Sequence, residues 1–257
     1  MEKFDIQLEY DEVVKKVSKK YNYNDDLKGV LRKILPSMLD SCSYEDRLNF
    51  YKMLNHTPIV VISSDSKITE EEIKSLYLGD VNPHIKEEKN YLGEYDKQEA
   101  EGAFVSEALL DNNLNIVGKK QFIYVKELNT EKRYTDKDKK RVELFGTGIN
   151  VSHLIHELGH AWVSEKGSYR IEEGKLIQRC GTAELISELI PNGDGTYTKK
   201  NISNEGLMLE EAINTTQELK YIARYLGIKK DECEKLYKID GCFIPSVYQW
   251  TMSSMAE

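Results

Sequence analysis

The stretch Val151–Val163 reads VSHLIHELGHAWV and contains three of the five histidines of the 257-residue chain. Residues four apart on a helix lie one turn apart on the same face, so His156 and His160 can direct their imidazoles at one metal ion. Glu157 is the only charged residue in the stretch. The other residues around the motif predict a buried helix because they are apolar, namely Leu154, Ile155, Leu158, Ala161 and Trp162.

Glu157 follows the first of these histidines by one position. Its carboxylate is therefore turned aside from the ion but stays within reach of a water beside it. A carboxylate placed there can accept a proton from the water and pass it to a leaving amine. Gly159 is unusual, because glycine inside a helix costs roughly 0.5–1 kcal/mol relative to alanine. It suggests that another backbone or the floor of the active site approaches the helix closely there.

The segment HELGH at 156–160 resembles the H-E-x-x-H signature of the zincin metallopeptidases. The resemblance implies one catalytic zinc ion bound by His156 and His160, with Glu157 as the general base. It also implies a peptide or protein substrate and a third protein ligand to the metal.

The third ligand is expected to be a carboxylate. No histidine follows His160, so the third histidine of metzincins is absent, and Cys180 lies in QRCGT rather than in a deformylase-type motif. The segment EEAIN at 210–214 resembles the E-E-G/A-φ-N/T pattern of gluzincins (φ being apolar), which implies Glu211 as the ligand. Its small neighbour Ala212 would let the second helix pass close to the first. The alternatives left open are Glu210, Glu205 and Glu218.

Thr215 stands where the thermolysin pattern has an aspartate. That aspartate position would supply a carboxylate partner for a ligand histidine. We therefore expect Asn214 or a backbone carbonyl to take its place.

The order of elements predicts an α+β fold of zincin type in a single domain, 1–257. Residues 1–55 are predicted to form a helical layer and residues 56–128 a sheet-containing part. Residues 145–257 are predicted to form the zinc-binding catalytic part. In this scheme a small antiparallel-rich sheet packs on the motif helix. A mostly helical carboxyl-terminal part follows, interrupted by a small β excursion near 169–199.

Local signals place the other elements. Asn24, Ser43 and Thr69 are predicted helix caps, and Pro36 is expected to kink or end its helix. Strands are predicted at 57–63, 102–111 and 119–128, the last two as an antiparallel pair. Residues 80–101 are predicted to be a surface connection, and 129–141, including the run KDKKR at 137–141, a charged loop.

Zincins bind extended peptides by strand addition, so residues 102–110 or 121–127 could supply a sheet edge, although either could equally be an internal strand. For stabilisation of an oxyanion, the candidates are Tyr197, Tyr225 and Tyr248. His153 is expected to be hydrogen-bonded at the helix entrance rather than in contact with substrate. Surface or capping roles are expected for His56 and His84.

The net charge of −8 argues against nucleic acid or an anionic membrane as a partner. No apolar run approaches a membrane span of about 18 residues, and no signal peptide is visible. The four cysteines are scattered, without a CxxC pair, and are expected to be reduced thiols. These features predict a soluble, cytoplasmic protein.

The sequence therefore predicts a zinc metallopeptidase of gluzincin type. Two alternatives stay open: a non-catalytic binding or regulatory module that keeps the zincin fold, and an intracellular protease specific for one regulatory protein. An intact Glu157 favours catalysis, because a purely structural metal site needs no general base.

Overall fold

Helices and strands follow one another along the chain in an irregular order. The computed structural model describes residues 3–79, 81–87, 101–128, 135–165 and 169–240. The elements in these ranges are α1 (Lys3–Tyr21), α2 (Asp25–Leu39), α3 (Tyr44–His56), β1 (Ile59–Ile62), α4 (Glu70–Leu78), β2 (Ile85–Glu87), β3 (Gly102–Leu110), β4 (Ile116–Lys126), α5 (Thr135–Phe145), α6 (Val151–Glu165), β5 (Tyr169–Glu172), β6 (Lys175–Cys180), β7 (Ala183–Pro191), β8 (Tyr197–Glu205), α7 (Leu207–Leu226) and α8 (Lys230–Asp240).

The predicted helix caps are confirmed. The side chains of Asn24, Ser43 and Thr69 each accept a hydrogen bond from the backbone N–H three residues later, and Thr69 belongs to a full capping box with Glu72. The alternative that Pro36 ends its helix is wrong. Helix α2 continues to Leu39 because the residues beyond the proline, Met38 and Leu39, are fully buried, and this burial outweighs the lost hydrogen bond.

A three-stranded sheet lies beside the motif helix, in the order β1-β4-β3. Strands β3 and β4 form the predicted antiparallel pair, and β1 runs parallel to β4. Within the described residues, β3 lies at the edge of this sheet, so 102–110 is an edge strand and not the internal strand that the sequence left equally open. The alternative edge at 121–127 is wrong, because β4 is hydrogen-bonded on both sides.

A five-stranded sheet follows the motif helix, in the order β2-β8-β7-β6-β5. Strands β5 to β8 form an antiparallel meander, and β2 adds in parallel to β8. The predicted β excursion near 169–199 is confirmed, and it is larger than expected, because it extends to Glu205 and forms a complete sheet with β2. Its first turn joins β5 to β6 at Glu173 and Gly174, which both have positive φ, as a tight two-residue hairpin requires.

Helix α5 replaces most of the predicted charged loop, so that prediction is wrong for 135–141; residues 129–134 lie outside the described part. Arg141 and Phe145, one turn apart, are both buried. Arg141 Nη1 lies 3.2 Å from Glu101 Oε2, which also accepts a hydrogen bond from Asn150. Burial alone would raise the pKa of Glu101, but His153, Arg141 and Asn150 outweigh it and lower that pKa. Because this ion pair needs Arg141 to face inward, the basic run forms a helix.

The main hydrophobic core lies on the side of α6 opposite His156 and His160, the two histidines that are predicted to bind metal. Buried residues of helices α1 to α3 form one apolar cluster there with Leu154, Ile155, Leu158 and Ala161, and α3 packs directly on α6. Phe50 of α3 meets Trp162 edge to face, with ring centroids 5.2 Å apart. The architecture is α+β, as predicted, and the core fixes the orientation of the motif helix.

Among the described helices, none has the length and apolar character needed to cross a membrane.

Cys42, Cys180 and Cys233 are free thiols, while Cys242 lies outside the described residues. The predicted surface connection at 80–101 contains the short strand β2, and residues 88–100 also lie outside that part. Residues 241–257 fall outside it as well.

Candidate metal centre

Helix α6 places the two motif histidines on one face, one turn apart. Their Nε2 atoms lie 3.0 Å from each other, and the two rings are nearly perpendicular, at 80°. Helix α7 brings Glu211 to the same point, with its Oε2 atom 3.2 Å from His156 Nε2 and 3.3 Å from His160 Nε2. The structure therefore brings together all three residues proposed as metal ligands.

These three ligand atoms have the geometry and chemistry of a metal site. With bonds of about 2.0–2.1 Å and tetrahedral angles, neighbouring ligand atoms would be roughly 3.3 Å apart, close to the distances between these three. Two imidazole nitrogens and one carboxylate oxygen are a usual ligand set for a catalytic transition metal. His156, His160 and Glu211 could thus hold a metal ion.

The charges at this point are strongly coupled. Burial alone would raise the pKa of Glu211, but the two histidines outweigh it and lower that pKa to about 2. Burial alone would lower the pKa of His156, but Glu211 and Glu218 outweigh it and raise that pKa well above its ordinary value.

Glu218 is a carboxylate partner of His156, one of the three proposed ligands. It lies two turns after Glu211 on α7, it is buried, and its Oε2 atom is 3.0 Å from His156 Nδ1. The carboxylate needs an N–H at Nδ1, so it selects the tautomer of His156 whose Nε2 lone pair faces the metal position. Our expectation that Asn214 or a carbonyl would fill this role is wrong. Glu218 is also excluded as the third ligand, since it binds the other nitrogen of the ring.

Asn214 instead joins the two helices. Its Nδ2 atom donates a hydrogen bond to the backbone oxygen of His156, at 2.9 Å. A Cβ atom on Gly159 would lie only 2.1 Å from Asn214 Oδ1. The glycine therefore allows the close approach that the sequence predicted, and the approaching group is this side chain of α7.

Glu210 lies outside the group of proposed metal ligands and connects the start of α7 to Thr182 of the second sheet's β6–β7 turn. Its Oε2 atom accepts hydrogen bonds from the backbone N–H and the hydroxyl of Thr182, at 2.8 and 3.0 Å. Gly181, with a φ of 59°, leaves the space that this carboxylate occupies. Because Glu210 is used here, its neighbour Glu211 faces the histidines. Glu205, at the end of β8, is exposed and outside the group of ligands.

Glu157 is hydrogen-bonded to the edge strand. Its Oε2 atom accepts a hydrogen bond from the backbone N–H of Phe104, at 2.7 Å. Phe104 lies opposite Ile123, whose own N–H points away toward Pro58 at the start of β1. The backbone N–H and C=O groups of Phe104 therefore point away from β4, in the plane of the sheet. Because this direction alternates along a strand, the groups of Gly102 and Ser106 point the same way.

A cavity of about 330 Å³ joins these groups. Glu157 and the three proposed ligands line it, together with residues of β3, β6 and the first turn of α7. Among the predicted oxyanion candidates, Tyr197 packs in an apolar cluster around β7 and Tyr225 packs on Phe145, and neither lines the cavity. Tyr248 lies outside the described residues. Gln178 of β6 does line the cavity and carries hydrogen-bond donors.

The remaining histidines lie away from this cavity. His153 Nδ1 is 3.5 Å from Glu101 Oε2 at the entrance to α6, and burial lowers the pKa of His153. His56 is the exposed last residue of α3, and His84 lies in a turn before β2. The expected surface position is confirmed for His56. The expected hydrogen bond of His153 is not formed at Nδ1, which is buried without a hydrogen-bond partner among the described residues, and the same holds for Nε2 of the half-buried His84.

The site thus combines three converging ligand atoms, a carboxylate beside them and an exposed strand edge. The contacts of Thr182 and of the Phe104 amide were not predicted from the sequence, and Glu218 was considered only as an alternative third ligand, not as a partner of His156 Nδ1. Comparison of the chain with protein-family models, curated proteins and solved structures gives no match.

Proposed function

We propose that the protein is a zinc-dependent metallopeptidase of gluzincin type. The observation that carries this proposal is the triangle formed by His156 Nε2, His160 Nε2 and Glu211 Oε2, with edges of 3.0 to 3.3 Å. The mixed nitrogen and oxygen ligand set favours zinc, and three protein ligands leave a position open, as in catalytic rather than structural zinc sites.

The mechanism follows from the neighbours of this triangle. Zinc, when bound, would supply Lewis acidity that polarises a carbonyl and makes a water more acidic. Glu157, in the same cavity, would accept the proton of the attacking water and deliver it to the leaving amine. Glu218 would keep His156 in the tautomer that binds metal.

A peptide or protein substrate is supported by the position of β3. This edge strand passes directly beside the cavity and, within the described ranges, pairs with no strand on its outer side. An extended peptide could add to this edge through backbone hydrogen bonds and so place one peptide bond near Glu157. A zincin-like arrangement of sheet and motif helix is part of the same proposal.

The test is cleavage of a diverse peptide library by the zinc-loaded protein, read by mass spectrometry. Glu157→Gln should abolish cleavage while zinc stays bound, because the base is lost and all three ligands remain. Glu165→Gln, the same substitution two turns later on α6, is the matched control and should cleave like the wild type. Cleavage that persists in Glu157→Gln would contradict the mechanism.

A second test concerns the third ligand. Glu211→Gln should sharply reduce the zinc content after dialysis. Glu205→Gln, an exposed glutamate outside the group of ligands, should retain zinc. Unchanged zinc content in Glu211→Gln would contradict the assignment. Zinc bound by a wild-type protein that cleaves no peptide would instead support the binding-module alternative.

A further inference from the structure

The hydrogen bond between the Phe104 N–H and Glu157 joins the proposed general base to the proposed substrate-binding strand. At 2.7 Å it has the length of a charge-assisted hydrogen bond, and the Glu157 side chain is largely buried. Among the described residues, the other oxygen of this carboxylate has no hydrogen-bond partner, and Glu157 lines the cavity. One carboxylate oxygen of Glu157 is thus bound to β3, and the other is available to accept a proton.

This contact occupies a position that matters for peptide binding. The outward-pointing backbone groups of β3 belong to alternate residues, Gly102, Phe104 and Ser106, and a peptide adding to the edge would use them in turn. The N–H of the middle residue is already bound to Glu157. A peptide must therefore either displace the carboxylate or leave this N–H to it.

We propose that the Phe104 amide is a positioning donor for Glu157 and is kept out of substrate pairing. A short hydrogen bond to a charged acceptor is stronger than the neutral bond that a peptide carbonyl would offer, so the carboxylate retains it. The peptide then pairs with β3 through Gly102 and Ser106 and through the Phe104 carbonyl. The catalytic part of this inference rests on the proposed peptidase function, whereas the hydrogen bond itself does not.

The substitution pair Phe104→Pro and Phe104→Ala isolates the amide. Both variants lose the same side chain, but only proline removes the N–H. Proline is tolerated in an edge strand where the N–H points out of the sheet, and the preceding Ala103 is already extended. The proline ring also occupies the place of the amide hydrogen, so the carboxylate must move away from the strand.

The kinetic comparison separates positioning from substrate binding. Relative to Phe104→Ala, we expect Phe104→Pro to lower kcat by about 10- to 100-fold, because displacing a reacting group by about 1 Å has such effects, and to change KM by less than about twofold. Zinc content should be equal in the two variants. A raised KM with an unchanged kcat would show that substrate uses this N–H, and would overturn the proposal.

A second measurement does not depend on hydrolysis. The chain has only six phenylalanines, so selective ¹⁵N labelling gives a simple amide spectrum. In Glu157→Ala, the Phe104 amide proton should move upfield and exchange with solvent about tenfold faster, while the amide of Phe122, inside the sheet, stays unchanged. If the Phe104 amide does not respond, the positioning role is wrong even where peptides are cleaved. If it responds while no peptide is cleaved, the hydrogen bond stands and the peptidase function fails.

Discussion

Replacing Glu218 gives the sharpest test of the metal site, because this residue touches no metal and yet should control its binding. Partners of this kind typically contribute 10- to 100-fold in metal affinity. Glu218 Oε2 lies 3.0 Å from His156 Nδ1, and both side chains are nearly buried, with 6% of Glu218 and 12% of His156 exposed. We therefore expect Glu218→Ala to weaken zinc binding by about 100-fold, or about 2.7 kcal/mol.

Glu218→Gln refines the test. Its amide oxygen can still accept a hydrogen bond from Nδ1, so the tautomer of His156 is preserved and only the charge is lost. We expect a loss of about tenfold in zinc affinity, at the lower end of the range. The alanine variant should also be less stable by about 1–3 kcal/mol without metal, because it leaves a buried N–H without a partner.

The assay is competition with a chromophoric zinc chelator at mildly alkaline pH, combined with urea unfolding of the metal-free proteins. Glu205→Ala, which removes an exposed carboxylate near α7, is the control and should bind zinc like the wild type. If both Glu218 variants bind zinc within about twofold of the wild type, the carboxylate does not support the ligand histidine. The reasoning from tautomer and charge would then be refuted.

Three further predictions concern packing, pH and metal. Gly159→Ala should lower the free energy of unfolding by about 1–3 kcal/mol, because its Cβ would press on Asn214 Oδ1, 2.1 Å away; urea unfolding measures it. The ion pairs of Glu101 lower its pKa below the ordinary 4.5, so their stabilisation is complete above that pH and is lost as the pH falls through the folded-state pKa; unfolding followed against pH shows this loss. Zinc at 100 times its Kd should stabilise the fold by about 2.7 kcal/mol, seen as a raised Tm that Glu211→Ala abolishes.

Each of these predictions has its own control. Adding Asn214→Ala to Gly159→Ala should recover part of the lost stability, and an unchanged double variant would remove the steric explanation. Glu101→Gln should flatten the acid limb of the pH profile, whereas an identical slope would show that other carboxylates produce it. A zinc-induced rise in Tm that survives Glu211→Ala would locate the stabilising ion elsewhere.

The local part of the site could be predicted from sequence because helical spacing alone determines it. His156 and His160 lie on the same face of the helix because they are four residues apart. The caps at Asn24 and Thr69 depend only on neighbours three residues away. The choice of Glu211 depended on a resemblance. Its agreement with the structure follows from the use of Glu210 by Thr182, a contact that no sequence pattern indicates.

The long-range part could not be predicted, because it depends on how two helices cross. Glu218 reaches His156 from two turns beyond the third ligand, and only the crossing of α6 and α7, set by Gly159 and Asn214, brings it there. The central position of β4 depends on its pairing with β1, which lies more than fifty residues earlier. The helix at 135–145 depends on Glu101 as an ion partner. Glu218 had been considered only as an alternative third ligand; its spacing of seven residues from Glu211, which puts both on one face of a helix, was the available signal for a supporting role.

The core behind the motif helix also determines how far the protein could be shortened. Helices α1 to α3 contribute no residue to the cavity, so a minimal fragment of 102–226 would contain every group assigned to catalysis. Such a fragment would expose Leu154, Ile155 and Leu158, which are now fully buried, at roughly 1.5–3 kcal/mol each. That loss equals much of the total stability of a typical domain, about 5–15 kcal/mol. Helices α1 to α3 are therefore part of the smallest unit that can present the proposed ligands, although none of their residues lines the cavity.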